Sequence, residues 1–85
     1  MYISYPIRYN SMKDLVTFVK TRRKLLGLTQ KDVAEKAGVG LRFVRDLEQG
    51  KQSLRMDKVN QVLALFGHTL IPVEQKKIEY HEQES

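Results

Sequence analysis

The sequence predicts an all-α domain of four to five short helices followed by a single β-strand. Apolar residues recur at three- and four-residue spacing through residues 12–67, which is the period of amphipathic helices. An alternating, β-branched segment, 68–73, comes next. A chain of 85 residues has room for one small domain. We therefore divide it into an arm (1–11), a helical domain (12–67), a strand (68–73) and a polar, flexible tail (74–85).

Four helices are expected from the pattern, at about 12–25, 30–36, 41–49 and 56–66. The loop between the last two helices should turn Leu54 inward. The predicted core consists of the residues that share the inner face of each helix: Leu15, Phe18, Val19, Leu25, Val33, Ala34, Ala37, Val44, Leu47, Val59, Val62, Leu63 and Phe66. The aliphatic stem of Arg22 is a further candidate for the inner face of the first helix.

The stretch from 28 to 50 has the features of two short helices joined by a tight turn. Thr29 is placed to cap the first of them, with the acidic Asp32 in its first turn. Gly38 is placed to end that helix, because glycine adopts the left-handed conformation without strain. Two such helices bury little alone and must cross each other, which is the geometry of a helix-turn-helix unit.

Basic residues are concentrated around this unit. Residues 12–55 contain eleven Lys and Arg against five Asp and Glu, a net charge of +6, whereas the tail from Glu74 onward has −2. A basic block on a helix-turn-helix is typical of a surface that binds nucleic-acid phosphates. The alternative is an ordinary solvated face.

Other classes of function are less compatible with the sequence. Without cysteines, and with only His68 and His81, we expect no enzyme activity, metal site or cofactor. No apolar run approaches the ~20 residues that cross a bilayer, so we expect a cytoplasmic protein with no membrane partner. RNA binding is a weaker alternative, because the chain lacks an aromatic platform for stacking bases.

At residues 28–50 the chain resembles the XRE family of phage-repressor and Cro-like helix-turn-helix proteins, and the register continues over residues 12–67. The residues that carry the resemblance are Leu28, Thr29, Gln30, Val33, Ala34, Ala37, Gly38, Val39, Val44, Glu48 and Gly50. The resemblance implies a repressor-like fold, a double-stranded DNA operator with an inverted repeat, and nucleoid association when bound. It also implies that the third helix lies in the major groove.

The resemblance also suggests which residues contact DNA. The expected base-reading residues are Gly40, Leu41, Arg42 and Arg45. The expected phosphate-binding residues are Gln30, Lys31, Gln49, Lys51 and Ser53. For Arg45 the alternative is a surface ion pair with Asp46 or Glu48, and Arg23 is the expected partner of Glu48. Arg8 in the arm is a candidate for the minor groove, with a disordered arm as the alternative.

The segment after Gly67 predicts a dimer. One strand in a helical domain has no partner, so we expect it to pair with its own copy across a two-fold axis as a two-stranded ribbon. The expected interface residues are His68, Thr69, Leu70, Ile71 and Val73. The alternative is a loosely packed tail.

Four helices followed by a dimerising strand also resemble HipB-type antitoxins. Such proteins partner HipA-type toxin kinases and repress their own operon. The resemblance therefore implies a toxin–antitoxin role with a kinase partner, and the alternative is a stand-alone XRE-family repressor.

Overall fold

The computed structural model describes residues 11–72, and this part of the chain is helical. It contains α1 (Ser11–Leu25), α2 (Gln30–Ala37), α3 (Leu41–Glu48) and α4 (Met56–Leu65), with no strand among the described residues. The bounds agree with the predicted helices to within one or two residues. None of these helices combines the length and the hydropathy that a bilayer crossing needs. The arm with Arg8, the last predicted interface residue Val73 and the tail 74–85 lie outside the described residues.

The core lies where α2 packs against α3 and α4 and where α1 packs against α3. Its buried apolar residues are Val19, Val33, Ala34, Val44, Leu47, Val59, Val62 and Leu63. All eight were predicted, and Leu15, Phe18, Ala37, Leu54 and Phe66 pack against them while partly exposed.

Leu25 is a correction to the predicted core, since 74% of it is exposed. The inner side of the last turn of α1 belongs instead to Arg23, whose side chain is only 15% exposed. Helical periodicity alone favoured the apolar residue. In the tertiary structure an arginine lies there, because its side chain pairs with the buried Glu48 on α3.

Helix α2 is capped at both ends as the sequence predicts. The Thr29 hydroxyl accepts the Asp32 backbone N–H at 3.0 Å, and the Thr29 N–H donates to the Asp32 carboxylate at 2.9 Å. The bond from the Thr29 backbone N–H, and after it the Thr29 hydroxyl, stabilise the ionised Asp32 carboxyl and lower its pKa. At the other end Gly38 has a φ of 75°, and its N–H donates to Ala34 O at 3.0 Å. The turn toward α3 follows from this left-handed glycine.

After Gly67 the chain turns back along α4 instead of forming a strand within the monomer. The Asn60 side-chain oxygen accepts the Leu70 backbone N–H at 2.8 Å and the Thr69 hydroxyl at 3.1 Å. The His68 ring packs on Phe18, with 4.6 Å between the ring centroids. Residues 68–70 are therefore attached to the helical domain. Ile71 projects into solvent, 69% exposed.

The contrast between Leu47 and Leu25 leads to a stability prediction. Leu47 is fully buried, so Leu47→Ala should lower the free energy of unfolding by about 2–5 kcal/mol through the lost transfer energy and the cavity that remains. Leu25→Ala is the matched control and should change it by less than about 0.5 kcal/mol. Urea denaturation followed by circular dichroism measures both. Equal losses would contradict the burial described here.

Candidate nucleic-acid interface

Helix α3 has one buried face and one exposed face. Val44 and Leu47 are fully buried, and the side that bears them packs against α1 and α2. Arg42, Arg45 and Gln49 follow one another at three- and four-residue spacing on the opposite side, and all three are exposed. The helix therefore presents two arginines and an amide to solvent from a rigid support.

The two arginines have different surroundings. Arg42 Nε lies 3.3 Å from Asp46 Oδ1, with 87% of the Arg42 side chain exposed, and Lys51 Nζ lies 3.6 Å from Asp46 Oδ2. Exposed pairs of this kind contribute about 0–1 kcal/mol, so a phosphate or a base edge can replace them at little cost. Arg45 forms no ion pair with any residue of the range 11–72, because Asp46 and Glu48 are engaged by other cations. The alternative considered for Arg45 therefore does not occur in the described chain.

Glu48 joins three helices at the C-terminal end of α3, called the inner end below. Its carboxylate, 2% exposed, accepts Arg23 Nε at 2.7 Å and Arg23 Nη2 at 3.0 Å, which confirms the predicted ion pair. Gln30 donates to the same carboxylate at 3.1 Å, and Arg23 Nη1 donates to Leu28 O at 3.0 Å. The hydrogen bond to Glu48 raises the pKa of Arg23. This network fixes the end of α3 relative to α1 and to the start of α2.

The N-terminal end of α3, called the outer end below, carries the other two predicted base-reading residues. Gly40 occupies the N-cap with a φ of −75°, which any residue can adopt, and a Cβ built there would meet no heavy atom within 4 Å. The fold itself does not require glycine at this position, so the space in front of it is open to a ligand. Leu41 is half-buried and packs against the core, which leaves only part of its side chain for a contact outside the protein.

The predicted phosphate-binding residues differ in their exposure. Lys31, Gln49, Lys51 and Ser53 are exposed, whereas Gln30 is half-buried because its amide bonds Glu48. An open groove between α1 and the start of the loop after α3 continues the surface, and its lining includes Lys13, Lys20, Gln49 and Gln52.

Sequence reasoning missed the roles of two residues that shape this surface. Asp46, expected only as an alternative partner of Arg45, instead pairs with Arg42 and Lys51, and its four-residue spacing from Arg42 was the available signal. Gln61 hydrogen-bonds the turn before α3 from a distance of more than twenty residues along the chain. No local pattern indicates a contact of that kind.

Two crossed helices joined by a glycine turn, with arginines on the exposed face of the second, define a helix-turn-helix domain of the DNA-binding type. Comparison with known proteins agrees. A family model described as helix-turn-helix matches residues 19–70. The chain is 41% identical over 73 residues to a protein of Sinorhizobium fredii (strain NBRC 101917 / NGR234) named uncharacterised HTH-type transcriptional regulator y4mF, covering 82% of this chain and 96% of that protein. No solved structure matches the chain at a significant level. The chain belongs to the helix-turn-helix family, and within it to the XRE type.

The network around Glu48 can be tested by a double-mutant cycle. Arg23→Met should lower the free energy of unfolding by about 3 kcal/mol, because it leaves a buried carboxylate without its cation. Adding Glu48→Met should recover most of that loss, since the charge is then gone. Arg22→Met, on an exposed neighbouring arginine, is the control and should have a small effect. If Arg23→Met cost no more than this control in urea denaturation, the network would not be stabilising the domain.

Proposed function

We propose that this protein is a sequence-specific DNA-binding transcriptional repressor that acts as a homodimer on an inverted repeat. The observation that carries the proposal is the exposed pair Arg42 and Arg45 on a helix whose other face is fixed by the core and by Glu48. Membership of the helix-turn-helix family and the name of the Sinorhizobium relative support it. The function consists of binding alone, with no catalytic step.

Base recognition is assigned to the solvent face of α3. In the major groove, Arg42 and Arg45 each offer the planar fork that matches guanine O6 and N7, a contact worth about 1–3 kcal/mol of discrimination. Arg42 gives up only its exposed contact with Asp46 on binding. The open space at Gly40 lets the DNA approach the start of the helix, where the exposed part of Leu41 meets a thymine methyl.

Phosphate contacts are assigned to the residues that flank α3. Lys31, Gln49, Lys51 and Ser53 bind the backbone and set the register, without reading sequence. Gln30 has a dual role, because its amide has two N–H donors and only one is directed to Glu48. The remaining donor is available for a phosphate, so the contact would be made by a side chain that the fold already orients.

The homodimer is assigned to residues 68–73, with His68, Thr69, Leu70, Ile71 and Val73 as its interface. In the described part of this segment Leu70 is 39% and Ile71 69% exposed, so both side chains are accessible to another surface. Pairing with a second copy would cover both residues and satisfy backbone groups that the monomer leaves unbonded, whereas the Leu70 N–H is already bonded to Asn60. The two-fold axis then places two α3 helices about one DNA turn apart, roughly 10 bp.

A narrower form of the proposal makes this protein the antitoxin of a toxin–antitoxin operon. It rests on the resemblance of the chain to HipB-type antitoxins, with a HipA-type kinase as the partner and DNA binding as autoregulation. The alternative is a stand-alone XRE-family repressor with no toxin partner. Both forms use the same DNA-binding face, so they differ only in whether a second protein is bound.

Base and phosphate roles predict different binding defects. Arg45→Ala should lower affinity for a duplex selected from a random pool while leaving affinity for a scrambled duplex almost unchanged. Lys51→Ala should weaken both duplexes alike and reduce the slope of log affinity against log salt by about 0.9. Fluorescence anisotropy over a salt series measures both. An Arg45→Ala protein that keeps the wild-type preference would remove Arg45 from the base-reading set.

The antitoxin form predicts a stoichiometric protein partner. Pull-down of the tagged chain from its native cell, with nuclease added and at high salt, should retain that partner, and mass spectrometry should identify it as a protein whose sequence contains kinase motifs. Recovery of a dimer alone, with DNA lost as salt rises, would favour the stand-alone repressor. A protein that remains monomeric in sedimentation at micromolar concentration would count against the dimer in either form.

A further inference from the structure

One side chain of helix α4, that of Gln61, hydrogen-bonds the turn of the helix-turn-helix unit. Gln61 Nε2 lies 3.2 Å from Ala37 O and 3.3 Å from Gly38 O, so the amide donates to the last carbonyls of α2. Such carbonyls at a helix C-terminus have no partner within the helix. The same amide nitrogen would lie 3.5 Å from a Cβ built on Gly38, which shows how closely it approaches the turn. Gln61 therefore joins α4 to the segment that redirects the chain from α2 into α3.

The outer end of α3 depends on this segment. Its N-cap, Gly40, supplies no side-chain cap, and the first backbone bond of the helix runs from Val44 N–H to Gly40 O at 3.2 Å. The inner end is different, because Glu48 is bonded to α1 and α2. One end of α3 is thus fixed by a charged network. The direction of the other end is set by residues 38–40.

Gln61 is well placed to hold that segment. It stands on α4 next to the fully buried Val62, and α4 packs directly against α2. The amide itself is on the surface, since Gln61 is an exposed residue. Removing an exposed amide opens no cavity in the core, so its effect should be concentrated on the turn and not on global stability.

We propose that Gln61 is a positioning residue for DNA recognition, which fixes the turn 38–40 and through it the direction of the outer half of α3, where Arg42 lies. The inference rests on the proposed function and adds a determinant of specificity outside the helix-turn-helix unit. Gln61 acts through the backbone oxygens of Ala37 and Gly38 and needs no contact with a base. Its loss should reduce the discrimination between sequences more than it reduces affinity for DNA in general.

Two variants separate the hydrogen bonds from the bulk of the side chain. Gln61→Met keeps the length and removes the N–H donors, whereas Gln61→Lys keeps donors on a chain that reaches the same carbonyls. In the DNA-free protein, Gln61→Met should speed amide exchange at Val39 and Val44 by about fivefold, as expected for losing a hydrogen bond of ordinary strength. The Val19 amide in α1 should keep its wild-type rate. Gln61→Lys should restore slow exchange at the turn.

The binding measurement uses a duplex selected by the wild-type protein from a random pool and a scrambled duplex of equal length. We expect the ratio of the two affinities to fall at least about threefold in Gln61→Met, with affinity for the scrambled duplex unchanged, and to return in Gln61→Lys, since a drop in discrimination follows from misplaced base contacts. The added charge of Gln61→Lys strengthens both complexes and cancels in the ratio.

The outcomes distinguish this inference from the proposed function. If the wild-type protein selects no preferred duplex, the proposed function fails, and the exchange rates still report on the turn. If the wild-type protein selects a duplex and Gln61→Met keeps the full ratio, the inference is overturned, whether or not exchange changes. A uniform rise in exchange that includes Val19 would also overturn it, because Gln61 would then be a general stabilising residue.

Discussion

The structure depends on one buried carboxylate, that of Glu48. An ionised group with 2% of its side chain exposed is tolerated only when its charge and its lone pairs are satisfied, and here Arg23 and Gln30 satisfy them. These bonds constrain the relative positions of the helices as well as the stability of the domain. Loss of Arg23 would leave the buried carboxylate without its cation, and loss of Gln30 would remove one of its donors, so the network holds α1, α2 and α3 in one arrangement. The apolar residues around them determine that the helices pack, whereas the carboxylate determines how.

This arrangement explains how so small a domain can present a precise surface. Buried valines and leucines, together with the Glu48 network, fill the space between the short helices. The proposed recognition is therefore assigned to the exposed face of α3, where Arg42 and Arg45 extend into solvent. Long cationic side chains are flexible, so the position of the two arginines is set by the helix that carries them, which the core and the Glu48 network hold in place. Asp46 restrains Arg42 on the surface, and Gln61 restrains the turn from which the helix starts.

The return of the chain along α4 shows a second use of buried and half-buried polar groups. Asn60 accepts the Leu70 backbone N–H and the Thr69 hydroxyl, so an otherwise unpaired segment is held beside the helix with Ile71 facing outward. The segment is thus attached to the domain while Ile71 stays exposed. The surfaces proposed for DNA recognition and for assembly therefore lie on different parts of the described chain.

The sequence by itself determined the four helices, the turn between α2 and α3, and nearly all of the core, because these follow from local periodicity, from the Thr29 cap and from the glycine at 38. It also predicted the pairing of Arg23 with Glu48. Tertiary structure decided the contacts between residues that are distant in the chain, which helical periodicity does not indicate. Arg23, not Leu25, takes the inner position at the end of α1, where it reaches Glu48 on α3, a residue 25 positions away that no local period indicates. The bonds from Gln61 to the turn likewise join groups that are distant in the chain, and only the packing of α4 against α2 brings them together.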